Sequence, residues 1–239
     1  MKKLYEKNEL LFAIGWIVVY CAVSVPIRGA LGDESAAMAA ALAVIAAGIL
    51  FFIKRYRLEA RYGLVKWAGS ARDYLYFLPL LILATGNLWD GVGMAYGGWA
   101  QVWAVISMLL VGFIEELIFR GFLFRALLDR NAAGVAVAIS AVTFGIGHIV
   151  NLLAGQGDLE TLLQVIFAVA WGFLFTLVFY RSGSLWICVA VHGLVDVFSK
   201  FAAPGGKDYG YIAATVAVSI AYCLYLGRRP PALEQKARP

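Results

Sequence analysis

Residues 111–125 read VGFIEELIFRGFLFR and set two acids and a base inside an otherwise apolar run. Upstream the run extends to Ala100 and downstream to Leu127, so it exceeds the roughly 20 residues that a spanning helix needs. A charge at the bilayer centre costs about 2.5–3.5 kcal/mol on insertion scales, so it is normally paired and put to use. Glu115, Glu116 and Arg120 therefore mark this segment as a membrane helix with a purpose beyond anchoring.

The rest of the chain agrees. Of its 239 residues, 62% are hydrophobic and 15% charged, and the mean hydropathy is +0.80. Soluble domains carry about a quarter charged residues. Seven further apolar runs flank the first: Leu10–Ile27, Ala36–Ile53, Tyr74–Leu88, Ala132–Leu153, Thr161–Tyr180, Ser182–Ser199 and Gly210–Leu226. Pro79 is expected to kink the short third span, and the Gly-rich GVGMAYGG after it reads as a flexible loop. The fold expected is an all-α, polytopic transmembrane bundle of about eight helices, forming one integral membrane domain over residues 1–239. The N-terminal run lacks a small-residue cleavage site and reads as a retained first helix.

Basic residues test that count. With the N-terminus in the cytoplasm, only Arg28, Lys200 and Lys207 of the 20 Lys and Arg fall outside. That is the asymmetry the positive-inside rule describes. Both termini are expected in the cytoplasm, with the bacterial cytoplasmic membrane as the expected location. The net charge of +5 is spent on loop clusters, which argues against nucleic acid as a partner. Cys21, Cys188 and Cys223 lie in apolar runs without metal or redox spacing.

Ionisable residues inside the spans are few. Beside Glu115, Glu116 and Arg120 there are His148, in FGIGH, and His192 and Asp196, in HGLVD. Residues four apart share a helix face, which pairs Glu116 with Arg120 and His192 with Asp196 and sets Phe144 one turn before His148. Glu115 and Glu116 point about 100° apart, so they should have different partners. A buried Glu–Arg pair by itself often only locks a helix, and a His–Asp pair could relay protons in a transporter. Acids and histidines on three helices with little else polar argue instead for one convergent site. The chain contains no GxSxG elbow, no HExxH and no phosphate loop.

EELIFR, FGIGH and HGLVD match EExxxR, FxxxH and Hxxx(N/D). In their order and helix context, residues 99–199 resemble the CPBP family of intramembrane proteases. That family includes the Rce1-like CAAX prenyl endopeptidases and bacterial relatives, some linked to bacteriocin self-immunity. The resemblance implies an endopeptidase that cleaves membrane-associated peptides or proteins in the bilayer. It makes Glu115 the base that activates water, with His148 holding that water. His192 and Asp196 would stabilise the oxyanion, and Glu116 and Arg120 would support them. An ionised Asp cannot donate to an oxyanion, so Asp196 either carries a proton or orients His192. No cofactor is expected, although Glu115, His148 and His192 could supply three ligands to a zinc ion. The rival readings are a membrane scaffold or immunity protein of the same family and a proton-coupled transporter. Counting at about 1.5 Å per residue puts His148 some way deeper than Glu115 and His192.

Overall fold

The computed structural model describes residues 1–66, 77–203 and 209–233. A short amphipathic helix, α1 (Lys2–Lys7), precedes α2 (Glu9–Leu31) and α3 (Ala36–Arg55). Asn8 separates the first two and caps α2, its side chain accepting from the Leu10 and Leu11 amides. Ser35 caps α3 through the Met38 amide, satisfying donors that would otherwise be orphaned at a helix start. The short helix α4 (Leu78–Ala84) leads into a 3₁₀ turn at Gly86–Leu88. Then come the 31-residue helix α5 (Gly98–Leu128), α6 (Ala133–Gly147) with a 3₁₀ extension to Ala154, α7 (Asp158–Ser182), α8 (Trp186–Ser199) and α9 (Tyr209–Gly227).

Among the described residues there are helices and no strands, apart from one isolated bridge between Val92 and Ala202. Among the described residues, six helices are long and apolar enough to cross a bilayer, and α4 and α8 are shorter apolar helices. The chain is an integral membrane protein built as a helical bundle. The expected eight apolar elements are present, and among the described residues six of them have the length of a full span.

Three local expectations change. Pro79 occupies the first turn of α4 rather than kinking a longer helix; that turn has no intrahelical use for the missing N–H. Residues 74–76 of the expected third span lie outside the described residues, as do Arg72, Lys207, Lys236 and Arg238. The Gly-rich loop is anchored rather than loose: Gly93 and Ala95 donate to the Phe201 and Lys200 carbonyls, and Ala203 donates to Gly91. The seventh apolar run begins its helix at Trp186, because Ser182 still belongs to α7 and Gly183 ends that helix with φ 71.

Both ends of the bundle are fastened by ion pairs. At the basic end Arg61 donates to Glu9 at the start of α2 and to Asp129 after α5, and Tyr62 donates to the same Glu9 at 2.7 Å. At the other end Asp33, between α2 and α3, accepts from Arg28 at 2.8 Å and from Lys200 at 3.0 Å. Burial alone would raise the Asp33 carboxyl, yet the two cations hold it below the ordinary carboxylate range. Stability from this cluster is therefore complete above the ordinary carboxylate value and is lost as pH falls through the lowered one.

Two outcomes follow. Asp33→Asn should lower stability near neutral pH by about 1–3 kcal/mol, the usual cost of removing a charged hydrogen-bond partner, and should flatten the acid limb of the stability curve. Thermal unfolding from pH 3 to 7 reads both effects. For orientation, a membrane-impermeant maleimide should label Asp158→Cys in intact cells and Lys3→Cys only after permeabilisation. The opposite pattern would invert the topology.

Candidate functional site

The site begins where two helices come unusually close. A Cβ on Gly112 of α5 would lie 2.8 Å from the Gly193 amide nitrogen of α8, so only glycine permits this approach. Small residues at a crossing let membrane helices pack backbone to backbone. This crossing sets Glu115 and Glu116, one turn beyond Gly112, beside His192, which immediately precedes Gly193. Below the glutamates α5 changes pitch, and Leu117–Phe124 form a π-helical stretch whose residues are all buried. Such widened turns recur at functional sites.

Glu116 is the node. Its Oε1 accepts from Arg120 Nη1 at 2.8 Å and faces His192 Nδ1 at 2.8 Å, and neither Glu116 nor Arg120 has any exposed surface. A carboxylate only accepts, so His192 donates from Nδ1 and turns Nε2 the other way. The Arg120 guanidinium lies 4.0 Å from the centre of the Phe144 ring and 5.5 Å from that of Phe175. A π face can stabilise a desolvated cation. Phe144 also meets His148 and His192 edge-on, at 5.1 and 5.8 Å between ring centres. One aromatic ring thus separates and supports three charged or polar side chains.

Glu115 has different partners, as its 100° offset requires. Oε1 accepts from the Tyr20 hydroxyl at 2.8 Å, and Oε2 lies 3.7 Å from His192 Nε2. Asp196 Oδ2 is 3.5 Å from the same Nε2, beyond a firm direct hydrogen bond. The orienting contact on His192 Nδ1 belongs to Glu116, so the structure does not give Asp196 that position. His148 Nδ1 faces the Phe144 carbonyl at 3.1 Å. A carbonyl can only accept, which leaves Nε2 of a neutral His148 with its lone pair.

These groups share a cavity of about 1170 Å³, lined by Glu115, Phe144, His148, His192 and Asp196. His148 reaches it despite the depth counted along its helix. Glu116 and Arg120 stand behind the wall. The remaining polar lining includes Tyr20, Arg28 and Asn151. Arg28 Nη1 donates to Asn151 at 3.1 Å, and Asn151 donates to Gln164 at 2.8 Å, so α2, the 3₁₀ extension of α6 and α7 are joined at its rim. Among the described residues, no three His, Cys, Asp or Glu side chains are grouped so that they could hold a metal ion.

Tyr20, Arg28 and Asn151 escape a scan for intramembrane charges. Tyr20 and Asn151 are neutral, and Arg28 passes for a loop anchor at the end of its run. A signal for the first existed: Phe12, Trp16, Tyr20, Ser24 and Arg28 recur every fourth residue, a single stripe that turns from aromatic to polar along α2.

Residues 97–198 match the family model described as type II CAAX prenyl endopeptidase Rce1-like. The chain is also 31% identical over 94 residues to a protein of Bacillus subtilis (strain 168) described as "Putative membrane peptidase YdiL". That match takes in 39% of this chain and 34% of the relative, about a third of the relative's length. The matched segment holds EELIFR, FGIGH and HGLVD together with the α5–α8 crossing that assembles them. Over residues 97–198, the chain is similar to the type II CAAX prenyl endopeptidase Rce1-like family.

Proposed function

We propose that this protein is an intramembrane endopeptidase that hydrolyses peptide bonds of membrane-associated substrates with a water activated by Glu115. The observation that carries the reading is the division of labour between adjacent glutamates. Glu116 is committed to Arg120 and His192, while Glu115 lines the cavity with Oε2 free of any such commitment. A carboxylate exposed to a cavity beside two imidazoles is the arrangement that general-base hydrolysis needs.

The hydrogen bonds support the remaining roles. Water in the cavity donates one proton toward His148 Nε2 and gives the other to Glu115 as its oxygen attacks the scissile carbonyl carbon. Negative charge then develops on the carbonyl oxygen. His192, fixed through Nδ1 by Glu116, presents Nε2 to the cavity and stabilises that oxygen when Nε2 carries a proton. Collapse of the tetrahedral intermediate breaks the C–N bond, and Glu115 returns its proton to the departing amine. Asp196, near the same Nε2, acts as a second donor in its protonated form. Arg120 and Phe144 hold Glu116 and thereby His192. No step passes through a metal ion.

Purified protein reconstituted with membrane peptides should yield two new peptide ends, detected by mass spectrometry. Glu115→Gln should reduce turnover at least about 10²–10⁴-fold, the range for loss of a general base, with folding retained. Glu116→Gln or Arg120→Ala should instead lower thermal stability by about 3–5 kcal/mol, because each strands a buried charge. Wild-type turnover by folded Glu115→Gln would remove it as the base. Proton-coupled flux without cleavage would identify a transporter.

Asp196→Asn separates two chemistries. Asn donates a hydrogen bond without needing a bound proton, so the variant should keep substantial activity and retain it at higher pH than wild type. A pH–rate profile of both proteins checks this, and a collapse at every pH would end the donor role.

A further inference from the structure

We infer that Tyr20 is a positioning residue for Glu115: its hydroxyl pins one carboxylate oxygen, so that the other faces the cavity and His192. Nothing in the three motifs includes it, and it lies on α2, outside the matched segment 97–198. The assignment rests on the endopeptidase reading for its effect on rate, but the contact stands independently of that reading.

The geometry is specific. The Tyr20 hydroxyl donates to Glu115 Oε1 at 2.8 Å across 95 positions of sequence. The tyrosine is 6% exposed, yet its ring lines the same cavity as Glu115 and His192. Its backbone is held from below, because the Ser24 hydroxyl donates to the Tyr20 carbonyl at 2.7 Å. One turn further, Arg28 is fixed between Asp33 and Asn151, so the polar part of the α2 stripe is clamped along its length.

A glutamate without such a contact can rotate about three side-chain bonds and can turn either oxygen to water. A tyrosine has two torsions and a rigid ring, so it is an effective anchor for a longer, looser partner. With Oε1 committed, the oxygen directed at the cavity is Oε2, 3.7 Å from His192 Nε2. The attacking water must meet a base and an oxyanion donor in one fixed arrangement, and small misplacements of such groups are costly. Phenylalanine keeps the ring and removes only the donor. The α2 helix thereby contributes to catalysis through Glu115 without touching the reacting atoms.

The test compares wild type, Tyr20→Phe, Glu115→Gln and the double variant in the reconstituted full chain. Tyr20→Phe should lower kcat about 10–100-fold, the scale of losing a supporting hydrogen bond to a reactive group. KM should remain within about threefold, since the same principle assigns positioning to the chemical step. On the Glu115→Gln background the tyrosine change should cause no further loss. Unchanged kcat in Tyr20→Phe, or a loss confined to KM, would overturn the assignment. If the wild-type protein cleaves none of the peptides, the endopeptidase reading fails separately. The pair is then judged by a double-mutant cycle in thermal unfolding. Non-additive midpoints for Tyr20→Phe and Glu115→Ala, which removes the acceptor, support the contact, and additive ones overturn it.

Discussion

A carboxylate with no exposed surface cannot persist in a bilayer unless its charge is compensated on the spot. Glu116 meets that condition through one oxygen that serves both Arg120 and His192. Much of the bundle can be read as the means of keeping these three side chains together. Arg120 in turn needs the Phe144 face, which α6 supplies. His192 must come within 2.8 Å of a residue on another helix, and the glycine contact between α5 and α8 allows it. Pairing of this kind costs desolvation and seldom adds much net stability. It joins α5 to α8 and, through Arg120 and Phe144, to α6.

That arrangement leaves the neighbouring glutamate facing the cavity. Glu115 and Glu116 are chemically the same and adjacent, and their surroundings alone distinguish them. One is consumed by a structural ion pair, and the other borders a large cavity with a single neutral donor on one oxygen. The contrast sets two consecutive acids of one membrane helix in two different environments, one paired behind the wall and one at the cavity. It also gives the N-terminal helices a place in the site. The matched segment supplies the motif residues, whereas Tyr20 and Arg28 on α2 complete the cavity wall.

Most of the bundle was legible in the sequence, because apolar length and the distribution of basic residues are direct consequences of the bilayer. The intramembrane Glu, His and Asp residues were legible for the same reason: charge in an apolar run stands out. The pairing of Glu116 with Arg120 followed from four-residue spacing. The bond from Glu116 to His192 did not, since it joins residues 76 positions apart and depends on a helix crossing that local pattern cannot fix. Asp196 shows the same limit. Its spacing from His192 is right for a neighbour, but spacing does not reveal which imidazole nitrogen it approaches. Tyr20 was hidden because a tyrosine in an apolar helix is ordinary until its partner is known. The short α4 packs on α8 and the loop beside it bonds to residues 200–203 just after α8, contacts that composition does not encode.

The π-helical stretch has a consequence for length. An α-helix advances about 100° per residue, whereas a π-helix spreads its turn over more residues and closes i→i+5 bonds. Helix α5 therefore stores slack between Leu117 and Phe124. The two halves of this single helix need not share a common face: the upper half is set by its crossing with α8, and the lower half by its packing at the basic end. A rigid α-helix of the same length would transmit every adjustment at one end to the other as a rotation. Here the widened segment lies between them, so the glutamates and the basic end of α5 meet their partners on faces that an uninterrupted α-helix would not align.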